Sequence, residues 1–487
     1  MTLPVSTAAA ELIARGLTLG GPAARTFPVL NPASGAYIAD VADRSADDMR
    51  TAITRAKAAF PAWSARTAKA RSAILRQWHG LVVQNADVLA EILTLEQGKP
   101  LAEARSEILF GANFIEWFAE EAKRVYGDIV PTHAPDKRCL VLKQPVGVVG
   151  AITPWNFPSG MITRKVAPAL AAGCTIVVKP AEDTPLSALA LAVLAADAGL
   201  PEDVMTIVTA AQAVEVASVL TASPDVRKLS FTGSTRVGKL LMRQCADTVK
   251  KLSLELGGNA PFIVFEDADL DAAVEGALAT KFRNAGQTCV SANRIYVQSG
   301  VMDAFANKYG EAIRALAIGD GFETGTQIGP LINAAAVDKV DSLVQDALGK
   351  GAVAVLGGGR HARGGNFYAP TILTGVLPDM DIAQAEIFGP VAPLTPFETE
   401  TEVVALANDT PYGLAAYFWS RDIGRVFRVA EALEYGMVGA NEVLTSNEGA
   451  PFGGIKESGV GREGSRYGIE DFVEIKYLAL GGIAAAA

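Results

Sequence analysis

The sequence predicts an α/β protein: a doubly wound parallel sheet, a second α/β unit, and a small β extension. Three observations predict it. Short β-branched runs alternate with helical segments from about residue 146 to residue 255, and a second strand-and-helix series follows from about residue 256. Two apolar runs, Arg138–Lys143 and Phe472–Ala479, have strand character but belong to neither series.

Each element has its own reason. Val146–Thr153, Thr175–Lys179, Val204–Val208 and Lys228–Thr232 are short, rich in β-branched residues and apolar on both faces, as buried parallel strands are. Between the second and third, Thr184 can cap a helix, Pro185 suits its first turn, and Gly199-Leu-Pro201 stops it. Strand–helix–strand alternation places ligands beyond the carboxyl ends of the strands. In the second series, Pro261–Phe265 and Arg294–Val297 read as strands. Asp269–Asn284, Val301–Leu316 and Asn333–Lys350 read as helices, the last ending at Gly351. The expected division is 1–127 with 147–255, then 256–470, with 128–146 and 471–487 as outlying strands. Apolar strands of that kind are usually paired away, often against another subunit.

Bulk properties narrow the function. The chain has 487 residues, half of them apolar, with 43 basic against 53 acidic side chains and a net charge of −10. An acidic chain without a basic run is a poor partner for nucleic acid or an anionic membrane. The first residues lack the pattern of a signal peptide, and the Ala-rich stretch at 188–196 is too short to span a bilayer, so a soluble, cytoplasmic protein is expected. Four scattered cysteines and three unclustered histidines support neither a metal site nor a disulfide framework.

The residues able to carry chemistry lie at strand and helix ends. Phe231-Thr-Gly-Ser-Thr-Arg-Val-Gly238 follows a strand and opens a helix, so the amides at Gly233 and Ser234 either face an anion such as a pyrophosphate or simply make a turn. Lys179 and Glu182 follow another strand; they either grip ribose hydroxyls together or form an ion pair. Cys289, in Gly286-Gln-Thr-Cys289, falls in a polar loop after a helix, whereas Cys139 lies in a strand, Cys174 just before a buried one, and Cys245 on a helix. It is the nucleophile candidate, or else an inert thiol. Glu255 lies in the apolar run Leu252-Ser-Leu-Glu-Leu256, where ionisation is costly, unless the run is an edge strand with Glu255 on its wet face. Asn156, in Pro154-Trp-Asn-Phe-Pro158, either donates to a developing oxyanion or caps the next helix.

Taken together, Thr94-Leu-Glu-Gln-Gly-Lys-Pro100, Pro154-Trp-Asn-Phe-Pro158, Phe231-Thr-Gly-Ser234, Leu254-Glu-Leu-Gly-Gly-Asn259, Gly286-Gln-Thr-Cys289, Glu386-Ile-Phe-Gly-Pro390 and Pro451-Phe-Gly-Gly454 resemble the aldehyde dehydrogenase superfamily. The closest resemblance is to its succinate-semialdehyde dehydrogenase branch. It runs from Asn31-Pro32 to the C-terminal strand and implies NAD(P)-dependent oxidation of an aldehyde through a thioester on Cys289. It makes Asn156 the oxyanion donor and Glu255 the activator of water. It assigns Trp155, Lys179, Glu182, Gly233, Ser234, Glu386 and Phe388 to the cofactor, and Arg164, Arg283 and Ser446 to the anionic tail of the substrate. In its terms, 1–127 with 147–255 is a dinucleotide-binding domain, 256–470 the catalytic domain, and the outlying strands join subunits into a homodimer or homotetramer.

Two features refine that expectation. A carboxylate at Glu182 suits ribose hydroxyls and repels a 2′-phosphate, so NAD is preferred, with some use of NADP. Asn441-Glu-Val-Leu-Thr445, ahead of Ser446, and Ser159-Gly160 depart from the branch pattern, which brings sulfolactaldehyde and glutarate semialdehyde in beside succinate semialdehyde. Ser291 stands where many relatives carry a second cysteine, so no disulfide switch at Cys289 is expected. Coenzyme A as acyl acceptor is disfavoured by the presence of Glu255. A non-catalytic structural protein on this fold would need neither the thiol, the amide nor the carboxyl.

Overall fold

The computed structural model describes residues 4–483; residues 1–3 and 484–487, at the ends of the ranges assigned from the sequence, lie outside the described residues. Val148–Ile152, Thr175–Lys179, Met205–Ile207, Val226–Thr232 and Lys251–Glu255 form a parallel sheet. In space the fifth strand neighbours the fourth, the fourth the first, and the first the second and then the third. Chain order therefore reverses between Val148–Ile152 and Val226–Thr232. The crevice beyond the carboxyl ends of such a pair is where a doubly wound sheet takes its ligand. The loops leaving those two ends carry Trp155 with Asn156 and Gly233 with Ser234.

The strands fall within two residues of their expected bounds because their β-branched side chains are buried on both faces, as across the whole of Thr175–Lys179. Lys251–Glu255 is not an edge strand: Gly459–Val460 runs antiparallel along it, pairing Gly459 with Glu255. One cap differs from expectation. Thr184 precedes the helix Pro185–Asp197 but makes no side-chain bond to it. The buried Glu96 carboxylate accepts from the N–H groups of Leu186 and Ser187 at 2.7 and 2.8 Å instead. The two oxygens of a carboxyl group accept from two N–H groups of the helix start at once, where a single hydroxyl would serve one.

The second sheet has seven strands in the order Val353–Leu356, Thr371–Thr374, Val391–Phe397, Ala292–Gln298, Ala260–Val264, Ala415–Trp419 and Met437–Ala440. Only Val353–Leu356 runs antiparallel. Helices Leu270–Phe282, Met302–Arg314 and Ala334–Gly349 pack on it, the first and last capped by Asp269 and Asn333 side chains. Four residues, Leu256 to Asn259, link Glu255 in the first sheet to Ala260 in the second, so the carboxyl end of that strand lies close to the start of the next.

The outlying strands lie outside both sheets, as expected, and pair with each other. Arg138–Pro145 and Val473–Leu480 join each other in antiparallel register within one chain, and Asp128–Val130 closes the other side of Arg138–Pro145. Two long apolar strands with complementary alternation satisfy each other's backbones at once. Only the outer edges remain unpaired in the chain, with Ile129, Ile475 and Tyr477 exposed. Among the described residues no helix is long and apolar enough to cross a membrane.

Candidate active site

The segment that delivers Cys289 is a tight left-handed turn. Asn284, Ala285 and Gly286 follow the helix Leu270–Phe282 with φ of 51°, 54° and 77°. Such backbone costs a non-glycine residue roughly 1–3 kcal/mol, so it persists only where its surroundings hold it. Here they do. Asn284 N–H donates to Glu103 at 2.9 Å, its side-chain amide donates to the Asn156 carbonyl at 3.0 Å, and its Oδ1 accepts from Gln97 at 3.0 Å. Gly286 is the residue the turn requires, since a Cβ there would also stand 2.2 Å from the Gly389 carbonyl. The turn leaves Cys289 half-buried; Cys139, Cys174 and Cys245 are buried.

Asn156 lies buried on the loop after Val148–Ile152, and one of its two amide N–H groups donates to the Gln287 carbonyl at 3.0 Å, two residues before Cys289. It does not cap the helix Gly160–Ala172; Glu107 does, accepting from Ser159 and Gly160 N–H at 2.9 and 3.2 Å. The second amide N–H of Asn156 makes no hydrogen bond within the described residues.

Glu255 is buried, and its Oε2 has no hydrogen-bond partner in the protein. Burial, together with the neighbouring Glu463 carboxylate, pushes its proton affinity well above the usual range, against the pull of Arg164, Lys165 and Arg462. Glu463 behaves oppositely. Burial pushes its carboxyl up, but Lys165 and Arg164 outweigh that and hold it below the ordinary value. Two adjacent carboxyls with opposed affinities make one a proton acceptor in waiting and the other a fixed negative charge.

Burial, then Glu386 and Glu255, push the Cys289 thiol up to about 12, with Arg164 and Arg283 opposing them. The resting sulfur is therefore protonated at neutral pH, and the reactive thiolate fraction should rise about tenfold per pH unit. Alkylation of Cys289 by iodoacetamide, followed by peptide mass spectrometry, is expected to accelerate throughout pH 6 to 9. A rate that is already flat by pH 7 would contradict this reading of the site.

Cys289 opens into a cavity of about 730 Å³, whose wall includes Phe157, Arg164, Arg283, Ser446 and Phe452. Arg164 is buried, with its guanidinium 3.9 Å from the centre of the Phe452 ring and 5.3 Å from that of Phe114. Its Nε lies 3.0 Å from Glu463 Oε2, close enough for an ion pair but not aligned as a hydrogen bond, and its Nη2 has no partner. Ser446 Oγ is unpartnered as well. Arg283 is exposed near the ring of Phe157. Unsatisfied buried donors are rare in a folded protein and mark a place where a ligand completes the bonding. An acceptor, here an anion, is what Arg164 lacks.

A second crevice lies at the switch point of the first sheet. Ser234 caps the helix Thr235–Cys245, and Gly238 brings that helix so close that a Cβ there would stand 2.4 Å from Leu256. The helix N-terminus thus faces the crevice in the arrangement that binds phosphate groups. Lys179, buried, pairs with the exposed Glu182 at 2.7 Å. Glu386, half-buried, accepts from Gly258 N–H at 3.0 Å; burial pushes its carboxyl up to about 7. Phe388, at φ 58°, meets the Trp155 ring edge-on at 5.6 Å. A helix N-terminus, a carboxylate beside an ammonium, and a carboxylate with aromatic neighbours nearer the thiol suit the pyrophosphate and the two riboses of a dinucleotide.

The candidates thus fall into two adjoining groups. Cys289, Arg164, Arg283 and Ser446 share the cavity wall, with Asn156 and Glu255 set around the thiol. Trp155, Lys179, Glu182, Gly233 and Ser234 lie at or after the carboxyl ends of strands in the first sheet, and Phe388 and Glu386 reach that side through Trp155 and Gly258. The reading from sequence missed Glu463 and Lys165 beside Glu255, the anchors Asn284 and Gln287, and the buried pair Lys99 and Glu107. For the last pair a signal existed, since Lys99 lies in the motif Thr94–Pro100.

Comparison with known proteins agrees with this geometry. The family model described as "Aldehyde dehydrogenase family" matches residues 21–478. The chain is 61% identical over 453 residues to the succinate-semialdehyde dehydrogenase (NADP(+)) GabD of Escherichia coli (strain K12), covering 93% of this chain and 94% of that one. It is 61% identical over 459 residues to the glutarate-semialdehyde dehydrogenase of Pseudomonas aeruginosa, covering 94% and 95%. To the 3-sulfolactaldehyde dehydrogenase of Pseudomonas putida it is 58% identical over 468 residues, covering 96% of each. Among solved structures, the betaine aldehyde dehydrogenase of Staphylococcus aureus in complex with NAD+ superposes with a TM-score of 0.94 at 34% identity, covering 100% of this chain and 99% of that one.

Proposed function

Because the chain belongs to the aldehyde dehydrogenase family, we propose that it oxidises a short aldehyde with an anionic tail to the acid through a thioester on Cys289, with succinate semialdehyde its first substrate. The observation that carries the reading is the pair of unpartnered donors, Arg164 Nη2 and Ser446 Oγ, in the same cavity wall as the thiol. The tail anion satisfies them, and the aldehyde carbon then faces Cys289. The Cys289 thiol gives up its proton to solvent through the open cavity, and the thiolate adds to that carbon. The free N–H of Asn156 and the backbone N–H of Cys289 stabilise the oxyanion, an effect worth about 2.7–4 kcal/mol per donor. A nicotinamide held by Trp155, Glu386 and Phe388 would supply the hydride acceptor that this oxidation needs. Glu255 then takes a proton from the water that cleaves the thioester.

Lys179 and Glu182 hold the adenosine ribose, Gly233 and Ser234 the pyrophosphate, and Trp155, Glu386 and Phe388 the nicotinamide side. NAD is preferred over NADP: the Glu182 carboxylate accepts from ribose hydroxyls and repels a 2′-phosphate, even though GabD carries NADP(+) in its name. The enzyme is a cytoplasmic homodimer or homotetramer, joined along the outer edge of Val473–Leu480, where Ile475 and Tyr477 stand exposed. The division into 1–127 with 147–255, 256–470, and 128–146 with 471–487 belongs to the same proposal.

Relatives named for succinate and for glutarate semialdehyde match this chain equally well, so a kinetic panel is the test. It comprises succinate semialdehyde, glutarate semialdehyde, sulfolactaldehyde and a neutral aldehyde of similar length, each with NAD and with NADP. The highest kcat/KM is expected for succinate semialdehyde with NAD. A neutral aldehyde at the top overturns the anionic-tail reading, and a higher kcat/KM with NADP overturns the cofactor preference.

A further inference from the structure

We infer that Lys99 and Glu107 are a positioning pair that holds Asn156 where the oxyanion forms. The inference rests on the functional reading above. The loop Pro154–Gly160 has no ladder of its own to fix it, yet it carries the donor whose placement matters most. Lys99 is buried in the motif after the helix Ala86–Gln97, and its ammonium donates to the Asn156 carbonyl at 2.8 Å. It also donates to Glu107 Oε2 at 2.6 Å, inside the protein, and lies 3.9 Å from the centre of the Phe157 ring. The other oxygen of Glu107 takes the N–H groups of Ser159 and Gly160. One ion pair thus grips the loop on both sides of Phe157 and Pro158, at Asn156 and at the start of the helix Gly160–Ala172.

The same motif reaches the nucleophile. Gln97 donates to Asn284 Oδ1, and the Asn284 amide shares the Asn156 carbonyl with Lys99. Neither charge is there for stability alone, because a buried pair seldom repays its desolvation relative to apolar residues. Precision is the return. A donor displaced by about 1 Å from a forming oxyanion can cost on the order of 10²-fold in rate.

A double-mutant cycle separates positioning from general support. The readouts are the first-turnover burst of reduced cofactor and the rate of Cys289 alkylation by iodoacetamide, which needs no oxyanion donor. Lys99→Met is expected to slow the burst about 30- to 100-fold and to leave alkylation within about twofold. In an Asn156→Ala background it should add less than about threefold, because the donor it positions is already gone. Lys99→Arg should recover part of the rate. Should Lys99→Met not fold, Lys99→Met with Glu107→Gln, which removes both buried charges and keeps an acceptor for residues 159 and 160, is read in the same cycle. Equal losses in both backgrounds, or alkylation falling in step with the burst, would overturn the inference. A wild-type chain with no burst on any aldehyde would sink the functional reading, and the role of the pair with it.

Discussion

Replacing Glu255 by Gln is expected to leave the first turnover nearly intact and to arrest the second. Reduced cofactor should appear as a burst of one equivalent per subunit, followed by a steady state about 10²–10⁴-fold slower than wild type, the range a general base contributes. The first half of this follows from electrostatics. Burial and Glu463 push the proton affinity of the Glu255 carboxyl well above the usual range, and its charge helps hold the Cys289 thiol up, so a neutral amide of the same shape does not hinder formation of the thiolate. The second half follows from chemistry. The thioester needs a deprotonated water, and among the groups placed around the thiol Glu255 is the acceptor whose Oε2 is free of protein partners. Mass spectrometry of the stalled enzyme should find the acyl group on Cys289, and hydroxylamine, which needs no base, should release it. A slowed first turnover without a burst would instead make Glu255 an activator of the thiol. If coenzyme A were the true acceptor, adding it would accelerate the wild type, and Glu255 would cease to matter.

How much of this was legible beforehand depends on how local the cause is. The strands of the first sheet could be read because each is a self-contained apolar run, and Thr175–Lys179 falls at its expected residues. Cys289 stood out by its polar loop, and it is the one cysteine among the described residues that is not fully buried. What stayed hidden was non-local. Glu463 and Lys165 lie 298 residues apart in the chain, and nothing in either neighbourhood announces the other. The partner of Arg138–Pro145 within the chain stayed hidden for the same reason, since Val473–Leu480 is the last strand of the described chain. Thr184 occupies the right position for a cap, but a carboxylate from another helix outcompetes it. Local pattern yields elements; it does not yield the charges that distant elements bring to them.

The arginines offer the sharpest test of substrate choice. Arg164→Ala is expected to raise KM for succinate semialdehyde about 30- to 5000-fold, as losing one partner of a desolvated charge pair costs roughly 2–5 kcal/mol. The neutral aldehyde of matching length should change by less than about threefold. The comparison between substrates is essential, because Arg164 has two tasks. Its Nε faces Glu463 at 3.0 Å, and its charge opposes the rise in proton affinity at both Cys289 and Glu255. Removing it therefore slows every aldehyde somewhat; only the excess loss on the anionic one reports the tail contact. Lys165 remains on Glu463 in the variant, so that carboxylate is not left unpaired. Arg283→Ala should act more weakly, about tenfold, and more so at low salt, since an exposed guanidinium is screened by ions. Ser446→Ala should matter most for a sulfonated tail, whose third oxygen has most to gain from a hydroxyl donor. Equal losses on charged and neutral aldehydes in both arginine variants would mean that the cavity does not select by charge, and the anionic tail would have to be given up.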